Sequence, residues 1–157
     1  ERLVGSEMCI RDRVHFIKLR LFDTKGKEVA NTFYWRSNDK YEGRKTLTGP
    51  TSSGFEDLSK LKQVQLKTRY QTYQEGDRHF IKAEIKNPSS TVAFFTQLQL
   101  LGQDKKPVRP SFYTDNFFSL LPGESKTVII ETAASDMPSE PTFVVKGWNI
   151  KPSSFKL

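Results

Sequence analysis

Phe80-Ile81-Lys82-Ala83-Glu84-Ile85-Lys86-Asn87-Pro88-Ser89-Ser90-Thr91-Val92-Ala93-Phe94-Phe95-Thr96-Gln97-Leu98-Gln99-Leu100-Leu101 decides the fold class. Phe80 to Ile85 reads as one strand. Asn87-Pro88-Ser89-Ser90 is a turn, because Asn, Pro and Ser each favour backbone conformations that end a strand. Val92 to Leu101 is a second, longer strand, with Phe94, Leu98 and Leu100 expected inside. Working outward toward the C-terminus, Gly102 to Lys106 is a polar turn. Val108 to Tyr113 and Phe117 to Leu121 then flank Thr114-Asp115-Asn116. Leu121-Pro122-Gly123-Glu124 turns the chain again. Val128, Ile130 and Thr142 to Trp148 complete the set.

Toward the N-terminus, Gln74-Glu75-Gly76-Asp77 is a turn, and Val64, Leu66, Tyr70 and Tyr73 mark the strand before it. About seven short strands at regular spacing, with almost no helix, predict an all-β chain. The architecture expected for residues 64–149 is an immunoglobulin-like antiparallel β-sandwich. The Cys…Trp…Cys pattern of antibody domains is absent, so the likeness is architectural. The expected core is Leu66, Ile81, Ile85, Phe94, Leu98, Leu100, Val128, Ile130 and Val144. Residues 150–157 read as a C-terminal tail.

Residues 36–63 are polar and rich in Gly, Ser, Thr and Asp, which predicts a linker. Within it Phe55, Leu58 and Leu61 fit one side of a short helical turn. Glu56-Asp57 suits the start of that turn, where carboxylates complement the helix dipole. Residues 14–35 predict a β-hairpin around Asp23-Thr24-Lys25-Gly26-Lys27, with Ile17, Leu19 and Leu21 on one face and Lys18 and Arg20 on the other. A lone hairpin is marginal in water, so this one is expected to belong to a preceding β-sandwich domain. Leu3 to Arg13 resembles the translated end of a transposon adapter used in sequencing libraries. Residues 1–13 are therefore expected to be non-native, extended or poorly packed, and dispensable. The native part would then begin at Val14 as the C-terminal piece of a longer protein.

Composition narrows the chemistry. The formal charge is +7, and the basic residues are scattered along the chain. Scattered cations describe a solvated surface rather than a nucleic-acid patch. Cys9 is the only cysteine and lies in the adapter-like stretch, and His15 and His79 are far apart. No cofactor, metal site or thiol nucleophile is expected. No apolar run reaches the ~20 residues of a membrane span, and no membrane partner is expected.

Motifs for hydrolase nucleophiles, phosphate loops, zinc and calcium are absent. A glycosidase needs two facing carboxyl groups, and nothing here nominates such a pair. No catalytic residue is therefore assigned. The unusual feature is Phe112 to Phe118, where aromatic residues crowd a polar triplet. Strand alternation buries only half of these rings. One reading is core packing plus a turn at Asp115-Asn116. The other is a contact surface for a sugar or a neighbouring domain, formed by Tyr113, Thr114, Asp115, Asn116 and Phe117, with Trp148 as a further candidate.

A family resemblance follows from the order of several segments. These are Phe33-Tyr34-Trp35, Gly54 to Leu61, Asn87-Pro88-Ser89-Ser90 with Ala93-Phe94-Phe95, Pro107-Val108-Arg109-Pro110, Asp115-Asn116, Ser119 to Glu124 and Gly147-Trp148-Asn149. Together they resemble the C-terminal end of exo-β-D-glucosaminidases and related β-mannosidases of glycoside hydrolase family two, over nearly all of residues 14–149. The resemblance implies a retaining multidomain enzyme acting on β-linked glucosamine or mannose. Its two catalytic glutamates would lie on a (β/α)₈ barrel upstream of Val14. The resemblance also favours a secreted or periplasmic setting. It implies that residues 64–149 are an accessory domain, inactive alone, whose partners are the upstream domains and an oligosaccharide. The rivals are an independent carbohydrate-binding module and an adhesion-type domain of a surface protein.

Overall fold

A computed structural model describes residues 2–10, 14–37 and 56–157. The chain forms two compact units, Glu1–Leu61 and Lys62–Leu157. The linker expected over 36–63 lies largely outside the described residues. Its described end carries a 3₁₀ turn at Glu56–Lys60, in which Lys60 Nζ reaches Asp57 Oδ1 at 2.6 Å.

The first unit holds an antiparallel sheet of β1 (Arg2–Ile10), β2 (Val14–Phe22) and β3 (Glu28–Ser37), with β2 in the centre. The hairpin expected over 14–35 is present as β2 and β3. Asp23 builds its turn by accepting the N–H groups of Lys25 and Lys27 at 2.9 Å each. Gly26 takes the positive φ that the turn requires. Two features differ from expectation. The stretch read as adapter-like pairs with β2 from Arg2↔Phe22 to Ile10↔Val14, so it is extended but laddered. The fully buried residues of β2 are Val14 and Phe16, on the parity of Lys18 and Arg20, whereas Ile17, Leu19 and Leu21 are only half-buried. Phe16 packs on Phe33 of β3, with ring centroids 5.8 Å apart, which favours that parity.

The second unit is a sandwich. One sheet is β4 (Lys67–Glu75), β5 (Arg78–Lys86), β9 (Ser125–Ala133) and β7 (Phe112–Tyr113), in the order β4-β5-β9-β7. The other is β8 (Phe118–Leu120), β6 (Ala93–Leu101), β10 (Thr142–Gly147) and β11 (Ile150–Lys156), in the order β11-β10-β6-β8. All strand pairs are antiparallel. The fold is therefore the expected all-β, immunoglobulin-like sandwich. Between β7 and β8 the chain switches sheets.

Turn chemistry matches the residues supplied. Gly76 has positive φ at the first central position of the two-residue β4–β5 loop, as a type II′ hairpin demands. Pro122-Gly123 sits in a turn closed by Glu124 N donating to Leu121 O at 3.1 Å, with Gly123 at φ 79°.

Leu66, Ile81, Ile85, Phe94, Leu98, Leu100, Val128 and Ile130 are buried as expected. Val144 is not. Phe143 and Val145 occupy the core instead, paired with Leu100 and Leu98, and Val144 faces outward opposite Gln99. A one-residue parity error moves a whole strand to the wrong face. The tail expected at 150–157 is strand β11. Val64 precedes β4 and makes a parallel bridge to Ile150.

Candidate functional site

The stretch from Tyr113 to Phe117 is the crossover between the two sheets, and its polar groups close the edge of β6. Strand β8 pairs with β6 only as far as Phe118↔Thr96. Beyond that point the β6 backbone needs other partners. The Asn116 side chain supplies them: its Oδ1 accepts from Leu98 N at 2.8 Å and its Nδ2 donates to Leu98 O at 2.9 Å. One carboxamide thus replaces a strand residue. Leu100 is served next. Its N–H donates to the Tyr113 hydroxyl at 2.9 Å and its carbonyl accepts from Val108 N at 3.0 Å. Tyr113 belongs to the opposite sheet, so this bond ties the two layers. Burial pushes the Tyr113 phenol above its ordinary value, and the bond from Leu100 partly offsets that shift.

Thr114 extends the β7–β9 pairing by the same device. Its N–H donates to Ile129 O and its hydroxyl accepts from Ile129 N, both at 3.0 Å. Asp115 Oδ1 accepts from Asn116 N at 2.7 Å, and its other oxygen ion-pairs with Lys126 Nζ. That ammonium also lies 5.1 Å from the Phe118 ring centroid. Four of the expected site residues therefore hold the crossover in place. Phe117 does not. It stands 55% exposed, on a backbone at φ 57°, a region that aromatic residues rarely occupy.

Trp148 occupies the β10–β11 turn and is 60% exposed. Its N–H donates to Phe94 O at 3.0 Å. The residues beside it explain why the turn is rigid. A Cβ on Gly147 would lie 2.8 Å from Phe95 O, so only glycine permits this close approach. Asn149 is buried with both ends of its amide satisfied. Oδ1 accepts from Phe94 N at 2.9 Å, while Nδ2 donates to Lys62 O at 2.9 Å and Val92 O at 2.8 Å. Asn87 does the same at the other turn, donating to Thr91 O at 2.8 Å and Leu120 O at 3.0 Å.

By register Trp148 lies beside Phe94 at the start of β6, and Phe117 lies level with Gln97 in its middle, on the β8 side. The outward residues of this sheet include Gln97 and Gln99 of β6 and Val144 and Lys146 of β10, with Lys146 Nζ donating to Gln99 Oε1 at 3.1 Å. Sequence reading found the two rings but missed these amides and the locking role of Asn149. The outward parity of β6 was the signal available for Gln97 and Gln99. Among the described residues no group of three or more His, Cys, Asp and Glu could hold a metal ion. Among the described residues no helix is long and apolar enough to cross a membrane.

Architecture and surface together define an immunoglobulin-like β-sandwich domain with a locked aromatic face. Residues 46–150 match the family model described as "Exo-beta-D-glucosaminidase Ig-fold domain", and the chain belongs to that family. It is 31% identical over 145 residues to the exo-beta-D-glucosaminidase of Streptomyces avermitilis, covering 86% of this chain and 16% of that protein. It is 29% identical over 146 residues to the exo-beta-D-glucosaminidase of Amycolatopsis orientalis, covering 86% of this chain and 14% of that one. The crystal structure of Amycolatopsis orientalis exo-chitosanase CsxA has the same fold, with TM-score 0.79 and 23% identity over 92% of this chain and 18% of the other. The chain thus spans about a sixth of the length of these relatives.

Proposed function

We propose that residues 62–157 are a non-catalytic accessory domain of a retaining multidomain glycoside hydrolase acting on β-linked glucosamine. The domain packs on the rest of the enzyme through the face bearing Phe117 and Trp148, and so shapes the substrate entrance. One observation carries this reading. Two aromatic rings, each more than half exposed, stand on backbone fixed by the hydrogen bonds of Asn116 and of the buried Asn149. Large exposed rings on rigid backbone lose little freedom on contact, and this is how interface anchors are built. Tyr113, Thr114, Asp115 and Asn116 support the surface from beneath.

The test compares contexts. In the 157-residue chain, Phe117→Ala and Trp148→Ala should leave the melting temperature within about 2 °C, as expected for exposed positions. In the full-length enzyme the double substitution should lower the melting temperature of this domain by several degrees and raise KM. Equal behaviour in both contexts, with unchanged kinetics, would remove the docking role. The exposed ring of Trp148, on a turn locked to Phe94, also suits stacking on a sugar ring. Saturable binding of glucosamine oligomers by the isolated chain, lost in Trp148→Ala, would favour an independent sugar-binding module instead.

A further inference from the structure

The opposite face of the sandwich has a different chemistry. Ile81, Ala83 and Ile85 point inward from β5, so Lys82, Glu84 and Lys86 point out. Pairing with β4 sets Lys67 opposite Lys86, Arg69 opposite Glu84 and Gln71 opposite Lys82 on that outer face. Lys67, Arg69, Lys82 and Lys86 are all exposed, and none makes an ion pair with a described residue. Directly opposed lysines repel one another across a ladder, with side chains about 5 Å apart at their Cβ atoms. Fold stability does not account for such a pair.

The same face ends in an aromatic row. Tyr73 and Phe80 stack with ring centroids 5.0 Å apart. Beyond them Glu131 pairs with Arg78 at 3.0 Å, and Phe112 is exposed on the outer strand. The surface is thus basic at the Lys67–Lys86 end, carries the aromatic pair toward the other, and closes on Glu75, Arg78 and Glu131.

We infer that this outer face of β4, β5 and β9 binds an acidic polysaccharide. The sign of charge excludes a polycation such as chitosan from it. The lysines speak against a protein partner, because lysine is depleted from protein–protein interfaces and stays strongly hydrated. The acid among them speaks against nucleic acid. Glu84 stands between Lys82 and Lys86 on one strand and opposite Arg69 on the next, where a duplex would meet it with a charge about every 1.7 Å. Sparse, solvated cations beside aromatic rings suit a polymer with one carboxylate per sugar unit, its apolar ring faces lying on Tyr73 and Phe80. This face belongs to the sheet opposite the one whose final turn carries Trp148, and its test does not depend on the docking reading.

The experiment is affinity electrophoresis of the 157-residue chain in polygalacturonate, with neutral dextran, poly-L-glutamate, single-stranded DNA and chitosan oligomers as comparison probes. Polygalacturonate should retard the chain, with affinity falling steeply as salt rises, and chitosan should not. Lys67→Gln with Lys86→Gln should weaken retardation at least tenfold. Lys105→Gln with Lys151→Gln removes the same charge elsewhere and should change it less than twofold. Equal loss in the two doubles would reduce the effect to net charge and overturn the site. Stronger binding of DNA or poly-L-glutamate than of polygalacturonate would overturn the ligand class, and no retardation would overturn both. Circular dichroism melting of each variant separates loss of binding from loss of fold.

Discussion

The two units are built from the same elements and are stabilised differently. The sandwich has two sheets whose inner faces cover one another, and it carries a continuous core from Val64 to Ile150. In the three-stranded sheet Val29, Tyr34 and Trp35 of β3 are exposed, and of the β2 side chains Val14 and Phe16 alone are fully buried. A half-buried strand gains less from the hydrophobic effect than one enclosed between layers. Strand number and alternation alone therefore say little about stability. What matters is whether a second layer closes over the apolar face.

The largest expected effect breaks this comparison most directly. Leu98→Ala should destabilise the sandwich by about 2–5 kcal/mol, the range for a buried leucine. Leu19→Ala, at a half-buried position in β2, should cost less than about 1.5 kcal/mol. Similar losses in chemical denaturation would show that the first unit has its own closed core. Val144→Ala sharpens the same point within one strand, because its side chain faces outward while Phe143 and Val145 face in. Its cost should stay below about 1 kcal/mol.

A smaller effect is expected from removing residues 1–13. The sandwich transition should not move, since β1 pairs only with β2. Amide protons on the β2 edge released by β1 should exchange faster, and those bonded to β3 should change less. Faster exchange throughout β4 to β11 would contradict the division into two units.

The smallest effect is a gain. Among the described residues the buried Thr96 hydroxyl has no hydrogen-bond partner. Thr96→Val keeps the shape and removes that unsatisfied group, so it should stabilise the sandwich by about 1 kcal/mol. A loss in thermal melting would mean that the hydroxyl has a partner.

Much of the sandwich was legible in sequence because its signals are local. Asn87-Pro88, Gly76-Asp77 and Pro122-Gly123 each announce a turn by their own chemistry. Strands β5, β6 and β9 carry alternation strong enough to name their core residues. Strand β10 does not. Phe143-Val144-Val145 is apolar throughout, so its parity is settled only by pairing with Leu100 and Leu98. Strand β11, read as a tail, carries Pro152, which an edge strand tolerates because one side of its backbone needs no partner.

The candidate site was legible only in part for the same reason. The crowding of rings around Thr114-Asp115-Asn116 is visible in sequence. That Asn116 substitutes for a missing strand residue beside Leu98 depends on where β8 stops, which no local pattern encodes. Asn149 reaches Lys62 across 87 residues of sequence. No window short enough to be read as a motif contains both.

That last contact has a consequence for the order in which the domain can be made. Chain synthesis proceeds from the N-terminus, so Lys62 to Leu66 leave the ribosome long before Asn149 and Ile150 exist. The carbonyl of Lys62 and the N–H and carbonyl of Val64 find their partners only in the final turn and strand. Until then β6 also lacks β10, its central neighbour. The first segment of the sandwich is thus the last to be secured. A nascent chain stalled before Thr142 would present the edge of β6 and the apolar side of Val64 to whatever else is in the cell. Synthesis of β10, the turn after it and β11 would be the event that seals it.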